Sequence, residues 1–167
     1  MVQTALPTDD ISTNPPDTWV TQSFSSSNRY ASINDSSDST YVLNNTFSSS
    51  STLEVGLDSS LSTPGAGTRT LKHRTRGDFS GTQTITVALY EGASLVQSFT
   101  RTPSSTITTY SETVTNSISD YSDLSVRLTT SSNQVNVYEV EFEIPDAGGG
   151  GGGAGPKLNP EAFLMFL

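Results

Sequence analysis

From Trp19 onward, apolar and polar positions alternate in short runs at roughly ten-residue intervals, each separated by Ser, Asn, Asp or Gly clusters. Alternation with period two places successive side chains on opposite faces of a strand, so each run reads as a half-buried β-strand. The clearest are Thr52–Asp58, with Leu53, Val55 and Leu57 on one face, then Gln83–Tyr90, Ser94–Thr100, Thr106–Val114, Leu124–Thr129 and Val135–Ile144. Weaker runs lie at Thr18–Gln22, Tyr30–Ile33, Tyr41–Leu43 and Thr68–Arg76. About eight to ten strands suffice for two packed sheets. No stretch shows helical apolar spacing over three turns, so no sizeable helix is expected. Glu91-Gly92-Ala93 separates two alternating runs and offers a glycine for a positive φ, which predicts a hairpin. The expected fold is therefore an all-β, two-sheet antiparallel sandwich, jelly-roll-like.

The ends read differently. Residues 1–17 hold Pro7, Pro15 and Pro16 among Thr, Asp, Ser and Asn, and are expected to form an extended N-terminal arm. The sandwich is then placed at 18–146. Residues 147–155 include the six glycines of 148–153 and read as a linker, and 156–167 form a terminal segment ending Phe163-Leu-Met-Phe-Leu167. An apolar run of this kind left exposed would be sticky, so Phe163, Leu164, Met165, Phe166 and Leu167 are the candidate partner-binding residues.

Composition narrows the chemistry. Ser and Thr make up 52 of 167 residues, Lys occurs twice, and there is one His and no Cys. That excludes cysteine nucleophiles, zinc-thiolate sites and disulfides. A net charge of −9 repels phosphate backbones and argues against nucleic acid as a partner. The longest apolar run, Ala162–Leu167, is far too short to span a bilayer as a helix, and the first ten residues lack the basic and apolar regions of an export signal. No membrane association is expected.

Each possible site has a plain structural explanation. Glu139, Glu141 and Glu143 alternate outward on one strand, and carboxylates at i and i+2 lie roughly 6.5–7 Å apart, a spacing that glycoside hydrolysis could use. Any polar strand face produces the same spacing, and Lys72, Arg74 and Arg76 form a matching basic row, so charge pairing within one sheet is expected. His73 points away from that row and reads as a packed core residue. Asn34-Asp-Ser-Ser-Asp-Ser39, with Asp58, Asp120 and Asp123, could offer oxygens to calcium but lacks an EF-hand loop, and Asx turns explain it equally well. Asn34-Asp-Ser36 and Asn44-Asn-Thr46 match the glycosylation sequon. Trp19, Tyr30, Tyr41 and Tyr121 could stack on sugars, or fill the core and close its ends. No catalytic set, metal site or cofactor is assigned.

Asp10-Ile-Ser-Thr13, Thr18-Trp-Val20, Tyr30-Ala-Ser-Ile-Asn-Asp-Ser-Ser-Asp-Ser-Thr-Tyr-Val42, Leu71-Lys-His-Arg-Thr-Arg76, Asp120-Tyr-Ser-Asp-Leu-Ser-Val-Arg-Leu128 and Val140-Glu-Phe-Glu-Ile-Pro145 together resemble a β-sandwich domain of tailed-bacteriophage virion structural proteins. The resemblance covers residues 8–146. It implies a non-enzymatic virion component, most like a small capsid decoration (cement) protein. Such a protein is made in the host cytoplasm and sits on the capsid exterior. Its partners would be the major capsid protein or other virion subunits, with homo-oligomerisation in the assembly. The alternative implied by the same resemblance is a head or tail appendage domain that binds host surface carbohydrate.

Overall fold

The structure, a computed structural model, describes residues 2–23, 25–45, 50–77, 83–131 and 134–147. It is an all-β sandwich of two antiparallel sheets. Its strands are β1 (Val2–Ala5), β2 (Pro7–Asn14), β3 (Trp19–Thr21), β4 (Val42–Asn44), β5 (Ser51–Leu57) and β6 (Arg69–Gly77). They continue with β7 (Ile85–Glu91), β8 (Ser94–Arg101), β9 (Thr108–Val114), β10 (Leu124–Thr130) and β11 (Val135–Pro145). One sheet runs β3-β4-β11-β6-β9 with β1 also on β11, and the other runs β2-β5-β10-β7-β8.

The core lies between the sheets and is built from the apolar half of each alternation: Leu53 and Val55 on β5, Ile85, Val87 and Leu89 on β7, Val126 and Leu128 on β10, Val140, Phe142 and Ile144 on β11, all fully buried. The expected β7–β8 hairpin is present, with Gly92 at φ 55 where an L side chain would be strained.

Two expectations are corrected. Residues 1–17 are not an arm free of the sandwich, because β1 pairs with β11 in one sheet and β2 with β5 in the other. Two register shifts in β2, between Pro7 and Asp9 and between Asp10 and Ser12, break its period-two pattern and hide the strand from sequence. Pro7 can open it because β2 is an edge strand, where a missing N–H costs no ladder bond. Tyr30–Ile33 is not a strand either. Arg29–Ser32 form a 3₁₀ turn whose first amides, those of Arg29 and Tyr30, donate to the Asp10 carboxylate at 2.8 Å each. The Ile33 carbonyl then accepts from the Val140 amide at 2.9 Å, filling the edge of β11 between the short partners β4 and β1.

Candidate ligand-binding face

The two outward faces carry different chemistry. On the β11–β6 pair the expected charge ladder forms: Glu139 lies opposite Arg74 and Glu141 opposite Lys72. Lys72 Nζ is 2.9 Å from Glu141 and 2.6 Å from Glu143, and Arg74 is 3.3 Å from Glu139 and also pairs with Asp38. The two glutamates hold the Lys72 ammonium above its ordinary proton affinity through hydrogen bonds. A register shift between Val137 and Glu139 turns Tyr138 out of the core row, where it packs on Tyr41 at 5.2 Å. The same shift sets Arg76 opposite Asn136, with its guanidinium 5.9 Å from the Tyr138 ring. The carboxylates that sequence spacing raised as an acid/base pair are thus committed to neighbouring cations.

The outer face of the other sheet is built around one ion pair. β5, β7 and β10 send their apolar residues inward, which leaves Thr52 and Glu54, Thr86, Ala88 and Tyr90, and Ser125, Arg127 and Thr129 outward. Register then places Arg127 between Glu54 on one side and Ala88 on the other. Glu54 is only 8% exposed; it accepts from Ser125 Oγ at 2.8 Å and Ser12 Oγ at 3.4 Å, and faces Arg127 Nε at 2.9 Å. That carboxylate raises the proton affinity of the guanidinium further. The Arg127 Cζ rests 3.8 Å from the centre of the Tyr90 ring, a cation–π contact. Because Ala88 is small, the row opens into a cleft of about 390 Å³ lined by Ser12, Asn14, Thr52, Glu54, Ala88, Tyr90, Arg127 and Thr129. Its walls offer hydroxyls, an amide, an aromatic ring and a fixed cation on a rigid sheet, a set suited to a polyhydroxylated ligand.

The remaining candidates serve the fold. His73 is fully buried, stacked on Tyr110 at 5.0 Å, with Nε2 3.7 Å from Glu112. Burial lowers its pKa to about 4, against the opposing pull of Glu112. Glu112 is bound by Arg101, which reaches across from β8 of the opposite sheet at 2.5 and 2.6 Å. Trp19 is fully buried; Tyr30 and Tyr121 pack against the core, and the Tyr121 hydroxyl accepts from Arg69 at 3.2 Å. Asp35 accepts from the Ser37 amide, Asp58 from the Ser60 amide and Asp120 from the Ser122 amide, each closing an Asx turn. Among the described residues no three His, Asp or Glu gather as a metal set. Asn44 of the second sequon is fully buried and donates to Thr130 Oγ1. Phe163, Leu164, Met165, Phe166 and Leu167 lie outside the described residues, as does most of the linker.

Sequence reasoning named Tyr90 only as a strand end and passed over Glu54, Arg127 and Asn14. The available signal was a lone charged residue on the polar side of each of two otherwise uncharged strands, Leu53-Glu-Val-Gly-Leu57 and Leu124-Ser-Val-Arg-Leu128.

No protein-family model matches the chain, and no curated protein matches it. Among solved structures, it is similar to the C-terminal CBM6 of LamC, a marine laminarinase from Zobellia galactanivorans. The TM-score is 0.53 at 12% identity, over 86% of this chain and 99% of that one. It is also similar to the carbohydrate-binding module CBM6cm-2 of Cellvibrio mixtus lichenase 5A, solved in complex with cellotriose, with TM-score 0.50 and 14% identity over 86% of this chain and 98% of that one. At these identities the likeness establishes the jelly-roll-like sandwich architecture.

Proposed function

We propose that this chain is a non-catalytic carbohydrate-binding domain, serving as a phage head or tail appendage that holds host surface glycan in the Tyr90–Arg127 cleft. The observation that carries this reading is the cleft itself: an aromatic ring, an ion pair and four Ser, Thr and Asn side chains that can hydrogen-bond converge around open space. The sandwich is a fold that sugar-binding modules use, and the lichenase module was solved with a sugar bound. Among the described residues, the carboxylates of β11 are paired with Lys72 and Arg74, and His73 is buried beside Glu112, so neither supports an acid/base role. This favours binding over cleavage.

The test is isothermal titration against a glycan panel, with hydrolysis followed in the same mixtures. A bound glycan, left intact, whose affinity falls about tenfold or more in Tyr90→Ala supports the reading. No binding to any glycan, or binding that Tyr90→Ala leaves unchanged, contradicts it.

The apolar run Phe163–Leu167 favours a compatible second role, docking onto a capsid or other virion subunit. Replacing Phe163 and Phe166 by Ser should then lower occupancy on particles without changing glycan affinity.

A further inference from the structure

We infer that the glycan held in this cleft is a carboxylated sugar, its carboxylate received by the terminal nitrogens of Arg127; this rests on the carbohydrate-binding reading above. A guanidinium is planar and presents two separate edges of donors. Glu54 lies beside the inner one, 2.9 Å from Nε, at a position only 8% exposed. Glu54 lines the cleft, but its oxygens also accept from Ser125 and Ser12, so its charge is engaged by three donors. Among the described residues Glu54 is the carboxylate that pairs with Arg127, whose side chain lines the cleft and stays 33% exposed, so its terminal nitrogens are the donors available to a ligand.

The Tyr90 ring under Cζ fixes the plane of that fork before any ligand arrives. A preorganised fork matches a carboxylate bidentately, whereas a neutral hydroxyl would use one donor and leave the other without a partner as water is displaced. Asn14, Ser12, Thr52 and Thr129 lie on the walls beside it, placed for ring hydroxyls. With a net charge of −9 the chain does not attract polyanions at long range, so the selectivity is for one carboxylate on one residue of the glycan, not for dense sulfate or phosphate.

The full chain is titrated with two matched pairs: trigalacturonate against its methyl ester, and sialyllactose against lactose. The acidic member of at least one pair should bind about tenfold tighter than its neutral counterpart. Arg127→Gln should abolish that margin, and Arg127→Lys, which keeps the charge but loses the fork, should retain only part of it. Thermal unfolding of each variant reports the fold, and if Arg127→Gln fails to fold, Arg127→Lys decides. Equal or tighter binding of both neutral members overturns the inference, as does a preference that survives in Arg127→Gln. Neutral binding that Tyr90→Ala weakens would overturn this inference alone, while no binding of any sugar would overturn the carbohydrate reading with it.

Discussion

Two buried carboxylates do different work here: Glu112, beside His73 and Arg101, holds the fold, and Glu54 shapes the cleft. Glu54 sits in an apolar strand yet faces outward, its carboxylate anchoring Arg127 against Tyr90. His73 faces inward and is neutral, its pKa lowered to about 4 from 6.5 chiefly by desolvation. The unfolded chain takes up a proton on this imidazole below about pH 6.5, and the folded chain only below about 4. Stability conferred by keeping it neutral is therefore present above the first value and falls as the pH drops through that window, by roughly 3 kcal/mol at the limit. In urea melts across pH 4 to 6.5, the stability of His73→Leu relative to the parent should rise as the pH falls; parallel curves would mean His73 does not titrate as described. Which side His73 takes was legible in the sequence, since it alternates with Lys72 and Arg74. That Tyr90, Arg127 and Glu54 meet was not, because their meeting depends on the register of three strands distant in the chain.

Among the strands, the long regular runs were readable because each has one apolar face with an unbroken period of two. β1 and β2 were not, since bulges, Pro7 and a polar composition erase that period while the backbone still pairs. Their place in both sheets makes a sharp expectation. Deleting residues 1–14 should cost the domain its cooperative unfolding or lower its melting temperature by more than about 10 °C, whereas a free arm could be removed with little effect. On the opposite side of the sandwich, the edge strands β8 and β9 belong to different sheets and are joined by side chains. Arg101 bridges to Glu112, and the Gln97 side-chain oxygen Oε1 accepts from the Thr115 and Asn116 backbone amides. Arg101 is nearly half exposed and Glu112 is 5% exposed at its side chain, so the two halves of the pair are not equivalent. Removing Arg101 strands a buried carboxylate, while removing Glu112 leaves a cation that water can reach. Arg101→Ala should accordingly lower the melting temperature more than Glu112→Ala; the reverse order would show that the seam is held by packing and not by this pair.

For the molecule as a whole, the two sheets divide the work. One outward face is neutralised by its own ladder of Lys72, Arg74 and the β11 glutamates, and the other concentrates ring, cation and hydroxyls in a single cleft. Sequence pattern reached the sandwich and the ladder, and raised sugar binding only as an alternative, because a site on the face of a sheet leaves no contiguous motif. The most direct test of that division is an amide NMR titration of the isotope-labelled full chain with a glycan that it binds. The account predicts shifts confined to the outward face of β2, β5, β7 and β10 around Ser12, Thr52, Ala88, Tyr90 and Arg127, with the β6–β11 ladder unmoved. Shifts centred on the β6–β11 ladder or on the loops at either end of the sandwich, with the cleft silent, would contradict it.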